Sequence, residues 1–144
     1  DTVYAPIEPM DESTAVRTRK ITLSMSHGEV YLNGKQMLDM DNVPSAINFR
    51  IAEGEVEIWE VINESGMSHP LHIHNKHFQV LTVNGAPAPA DRGGWKDTVL
   101  VKPGQNVRLI VAFDGTPDED YPYMFHCHIL EHEDGGMMGQ FYIV

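Results

Sequence analysis

RTRKITLSM, residues 17–25, alternates in character, with Ile21, Leu23 and Met25 on one face and Lys20, Thr22 and Ser24 on the other. A period of two is the mark of a β-strand with one face buried. The same pattern of short strands and turns recurs outward from it. EVYLNGK carries an Asn33-Gly34 turn, EVEIWEVIN is strand-like on both faces, and FQVLTVNG closes on Asn84-Gly85; Asn-Gly favours the two-residue hairpin turn. DTVLV, NVRLIVAF, YMFHCHI and QFYIV bring the set to roughly eight strands. No segment holds a helical period of useful length, and ILEHE at 129–133 supplies a turn or two at most. Many short strands separated by Gly and Pro turns predict an all-β, Greek-key β-sandwich. Residues 1–16, DTVYAPIEPMDESTAV, show no sustained period and read as a linker or N-terminal arm, leaving 17–144 as the domain.

The chain of 144 residues is long enough for one hydrophobic core. Asp and Glu number 21 against 10 Lys and Arg, a formal charge of −11 without a basic stripe, which argues against nucleic acid as a partner. The longest apolar runs, such as LIVAF at 109–113, are far too short to span a membrane. No signal-peptide pattern is present, which is compatible with a mature, a cytoplasmic or an excised chain. A single cysteine excludes an internal disulfide, so its thiol needs its own explanation.

Six of the eight histidines sit in two windows, HPLHIH at 69–74 and FHCHILEHEDGGMM at 125–138. Histidine is the commonest metal ligand, because a neutral ring nitrogen binds at neutral pH. In a strand over 123–128, His126 and His128 share one face while Cys127 points to the other, so HCH serves two different sites. His72 and His74 likewise share a face; His69 lies across Pro70, which is expected to break the strand and turn that histidine elsewhere. One site then collects Cys127, His132, Met137 and His69. Two histidines, a thiolate and a weak axial methionine are the donor set of a blue copper centre, and suit zinc less well. The other collects His72, His74, His126 and His128, four imidazoles that look unfinished as a cluster.

With these residues in view, HPLHIH followed by FHCHILEHEDGGM, with WKDTVLVKPG at 95–104 between them, resembles the paired copper motifs of the multicopper oxidases, the laccase-like enzymes, in their C-terminal cupredoxin domain. The resemblance runs from about Arg17 onward and implies a cupredoxin-type sandwich. It implies that His69, Cys127, His132 and Met137 bind the type 1 copper, that His72 is a type 2 copper ligand, and that His74, His126 and His128 are type 3 ligands. In the family the remaining cluster histidines come from two HxH motifs of an N-terminal cupredoxin domain, and this chain has no further HxH. The partner expected is therefore that domain, covalently attached or as another subunit, together with a small reducing substrate and dioxygen. The implied mechanism passes single electrons from substrate through Cys127 and its neighbours to a cluster that reduces dioxygen to water, and by itself this chain is expected to be inactive. An extracytoplasmic location is implied by the resemblance alone.

Cys127 alone reads as a small buried hydrophobe, a reading that its flanking histidines overturn. Spacing favours Met137 over Met138 as the axial ligand, with Met138 as packing. His77 and His27 have no place in the copper pattern. Glu133, directly after His132, is a candidate catalytic residue that feeds protons to the cluster, or else a solvated loop end; the sequence leaves both open. As whole functions, a stand-alone blue copper carrier would have no need of the four paired histidines, and a zinc hydrolase would need an open coordination position and a base.

Overall fold

A computed structural model of the chain describes residues 7–38 and 47–144. Eleven strands are found among them: β1 (Arg17–Ser26), β2 (Glu29–Leu32), β3 (Ile47–Ile51), β4 (Val56–Asn63), β5 (His69–Ile73), β6 (Phe78–Val83), β7 (Ala86–Pro87), β8 (Thr98–Val101), β9 (Asn106–Ala112), β10 (Tyr123–Cys127) and β11 (Met138–Ile143), with one short helix, α1 (Leu130–Asp134). They form two mixed sheets, one ordered β2-β1-β4-β9-β6-β7 and the other β3-β11-β10-β5-β8. The fold is the all-β sandwich of cupredoxin type that the sequence predicts.

The alternation of β1 holds. Ile21 and Leu23 are buried and Met25 packs at the margin of the core. Between the sheets the core is aromatic: Trp59 of β4 meets Phe125 of β10 edge-on with ring centroids 5.0 Å apart, and Phe113 and Phe141 close around it. Such pairs add to the apolar area that they bury. Both Asn-Gly turns form, with Asn33 and Asn84 at φ of 52° and 50° and a glycine following each at positive φ. His27 and Gly28 turn the chain in the same way between β1 and β2.

Two structured segments depart from the sequence expectation. β3 pairs parallel with β11, from Phe49 opposite Phe141 to Ile51 opposite Ile143, a non-local contact with no turn signal beside it. β5 runs straight through Pro70, where the sequence predicts a strand break. The physical reason lies in the hydrogen bonding. Pro70 O accepts from His128 N at 2.7 Å, just past the end of β10, so the side on which proline lacks an N–H is where that ladder is ending. Of the arm expected over 1–16, residues 1–6 lie outside the described residues. Met10 N donates to Gln79 Oε1 at 2.7 Å and Gln79 Nε2 donates to Glu8 O at 2.9 Å, which ties this stretch to β6.

Candidate metal centre

β10 and β5 lie side by side, with His126 opposite His72 and Cys127 opposite Leu71. Strand parity then sorts the donors. Along β5, His69, Leu71 and Ile73 turn inward and are buried, while His72 turns to the other face. His69 and His72 are separated because they stand three apart on one continuous strand, an odd interval, and not because proline diverts the chain. On β10, the adjacent His126 and Cys127 part in the same way.

The inward set is His69, Cys127 and His132, all buried, with their donor atoms within 4.8 Å of one another. Cys127 Sγ lies 3.5 Å from both His69 Nδ1 and His132 Nδ1. Metal–thiolate and metal–imidazole bonds of about 2.3 and 2.0 Å can span such a gap, so one ion fits among the three. His132 arrives on α1, whose single turn brings it back beside Cys127. Met137 is fully buried, and its backbone is fastened to the same set: Met137 N donates to His132 O at 2.9 Å and Met137 O accepts from Cys127 N at 3.1 Å. Burial, with His132 alongside, lowers the His69 pKa to about 4, so its ring is neutral at physiological pH. Burial also pushes the Cys127 thiol up to about 11, opposed by a backbone hydrogen bond at Ile129 and reinforced by Glu133. A thiol so placed is inert until a cation compensates the thiolate.

The outward set is His72, His74 and His126, again with donor atoms within 4.8 Å of one another, and His126 Nε2 lies 2.9 Å from His74 Nε2. His128 stands at its exposed margin, one residue past β10, with ring centroids 5.5 Å from His126 and 5.6 Å from His72. Backbone carbonyls orient two of these rings. His72 Nδ1 donates to Asp97 O at 2.9 Å and His126 Nδ1 to Cys127 O at 3.0 Å, and a carbonyl only accepts, so in the neutral form of each ring it is Nε2 that carries the lone pair. Burial, and after it His126 and His72, lower the His74 pKa. Glu133 Oε2 lies 3.6 Å from His126 Nδ1. Of the donors expected from the sequence, His69, Cys127 and His132 come together in one set and His72, His74 and His126 in the other, with His128 beside the second and the backbone of Met137 bonded to the first. His27 is exposed in its turn, and His77 is exposed and lines a separate groove. Sequence reading missed Asn63 and Ser65, which hold His69 from behind; NES at 63–65 carries no metal signature.

The family model described as multicopper oxidase matches residues 10–144. This chain belongs to the multicopper oxidase family. It is 41% identical over 149 residues to the multicopper oxidase mco of Staphylococcus aureus, covering 97% of this chain and 31% of that protein. It is 39% identical to a laccase of Haloferax volcanii, covering 92% of this chain and 23% of that protein. Among solved structures, the laccase-like multicopper oxidase CueO of Ochrobactrum sp. superposes with a TM-score of 0.83 at 36% identity, covering 100% of this chain and 34% of the other. The chain thus spans about a third or less of the length of these multicopper oxidases. Membership implies copper, and the donor chemistry fits it: a buried cysteine sulfur with two imidazoles, beside a cluster of imidazoles, suits a soft, redox-active ion.

Proposed function

We propose that this chain is the C-terminal domain of a multicopper oxidase, holding a complete type 1 copper site at His69, Cys127, His132 and Met137 and half the ligands of a type 2/type 3 cluster at His72, His74, His126 and His128. The observation that carries this reading is that His126 and Cys127, joined by one peptide bond, supply donors to two different sets. When bound, copper would supply one-electron oxidation of a reducing substrate at the first set and, in the completed cluster, four-electron reduction of dioxygen to water. The chain's own part is to hold the two sets at a fixed short separation through the backbone of β10, to keep water from the Cys127 sulfur, and to keep His69 neutral. A groove of about 440 Å³ lined by Val30, Gln36, Leu38, Glu131 and His132 reaches the edge of the buried set and is where a small reductant would approach. The histidines missing from the outward set would come from a second cupredoxin domain, covalent or separate. A stand-alone blue copper carrier would use only the buried set, and the convergence of His72, His74 and His126 weighs against it.

The test is to load the purified chain with copper(II), count copper per chain, and record visible and electron paramagnetic resonance spectra before and after Cys127→Ser. An intense blue band with narrow hyperfine splitting, lost in the variant, supports the reading, as does oxidase activity that appears only with the second domain. Tight copper binding with no such band would sink the assignment of Cys127.

A further inference from the structure

Behind His69 lies a buried hydrogen-bond relay. Ser65 Oγ is 2.7 Å from His69 Nε2, the ring nitrogen that faces away from Cys127. Ser65 Oγ is also 2.8 Å from Asn63 Oδ1, and Asn63 is 1% exposed at the end of β4. The orientation of the Asn63 amide is fixed by its partners. Nδ2 spends both protons on backbone carbonyls, Met67 O at 2.6 Å and Val101 O at 2.9 Å, while Oδ1 accepts from Ser65 N at 2.9 Å. A flipped amide would set Oδ1 against two carbonyl oxygens and Nδ2 against an N–H.

With Asn63 Oδ1 fixed as an acceptor, the single proton of the Ser65 hydroxyl is committed. If it pointed at His69, or at Met67 O 3.1 Å away, Oγ and Oδ1 would face each other at 2.8 Å with lone pairs and no proton between them. It therefore lies toward Asn63, and His69 Nε2 must donate to Ser65 Oγ. A neutral imidazole carries one proton, so Nδ1 is left with a bare lone pair 3.5 Å from the Cys127 sulfur. We infer that Ser65, locked by Asn63, is a positioning residue that imposes the Nε2-protonated tautomer on His69 and so presents Nδ1 as a ready metal ligand before any metal arrives.

The inference about the tautomer stands apart from the identity of the metal; its consequence for copper rests on the proposed type 1 site. Long-range ¹H–¹⁵N spectra of the metal-free chain read the tautomer directly. The expected result is Nε2–H at His69 in the native chain, a mixture of tautomers in Ser65→Ala, and recovery in Ser65→Thr, which keeps the hydroxyl. Copper(II) titration should show affinity falling about tenfold or more in Ser65→Ala and returning in Ser65→Thr. Nδ1–H at His69 in the native chain overturns the inference whatever the variants do, and so does a Ser65→Ala protein, folded by its amide spectrum, with an unchanged tautomer. Native chain that shows Nε2–H but takes up no copper supports the relay and counts against the copper reading alone.

Discussion

His126 and Cys127 are consecutive residues that face opposite sides of one strand: Cys127 Sγ lies 3.5 Å from His69 and His132, and His126 Nε2 lies 2.9 Å from His74. A strand is the element that gives this arrangement at no conformational cost, because alternation sends neighbouring side chains to opposite faces. A helix would place them about 100° apart on one surface, and a loop would leave both loosely held. The antiparallel partner β5 repeats the device at an interval of three, with His69 inward and His72 outward.

Two sets built on opposite faces should fill independently. Cys127→Ser is expected to abolish uptake at the buried set while the outward set, which touches Cys127 only through its backbone carbonyl, still binds a divalent ion. Metal analysis after equilibrium dialysis should show the loss of one equivalent, with imidazole-type copper signals remaining. Loss of all bound metal would show that the sets are not separate.

Metal uptake at the buried set should release a proton. Cys127 is held as a thiol, with its pKa raised to about 11 mainly by burial, whereas a ligand must be the thiolate. His69, titrating at about 4, is already neutral and has nothing to release. Apparent affinity should therefore climb about tenfold per pH unit between pH 8 and 10, with about one proton lost per ion. Calorimetry in buffers of different ionisation enthalpy measures that number, and a value of zero would contradict the burial argument.

The same burial sets the acid stability of the metal-free chain. The folded pKa of His69, about 4, lies below the ordinary value of about 6.5 that it regains on unfolding. Between those limits the unfolded chain binds more protons, so stability is fully present above about pH 6.5 and is lost as pH falls toward 4. His74 is shifted in the same direction and adds to the loss. Urea midpoints at pH 7 and pH 4.5 should differ by more than about 1 kcal/mol in free energy, and copper should steepen the dependence.

Gly139 sits opposite Phe125 on the neighbouring strand, two residues before Cys127. A Cβ at Gly139 would overlap the Phe125 ring and come within 2.8 Å of Asn48 Oδ1. Neither can give way easily, since Phe125 is packed under Trp59 and Asn48 Oδ1 accepts from Gln140 N at 3.0 Å. Gly139→Ala should cost about 1–3 kcal/mol by overpacking and, by displacing β10, should also broaden the spectrum of any copper at Cys127. Thermal unfolding with the visible spectrum checks both.

The donor pattern was legible because strand parity is written in the sequence: HCH and HxxHxH need only alternation to be sorted into two sets, and Asn-Gly marks the turns that place the strands. What was not legible depends on distant partners. β3 is held by β11 in a parallel pairing that no local signal announces, and Pro70 stays in its strand only because the β10 ladder ends beside it. Ser65 and Asn63 look like ordinary turn residues until the fold brings His69 and the Val101 carbonyl against them.

Glu133 is the one candidate whose role the sequence left open between solvated loop and proton donor. It is about a third exposed at the side chain, with Oε2 3.6 Å from His126 Nδ1, so it reaches both solvent and the outward set. That position suits a carboxyl that takes protons from water and passes them toward oxygen chemistry at the cluster. In the two-domain oxidase that we propose, Glu133→Gln keeps the shape and removes the titrating proton. Turnover should fall by about 10²-fold or more, with a flattened pH profile and an unchanged blue band, since no donor to the buried set is altered. Stopped-flow reduction of that band by substrate should proceed at the native rate, which places the defect after electron uptake. Native turnover with the native pH profile would leave Glu133 as a solvated loop residue.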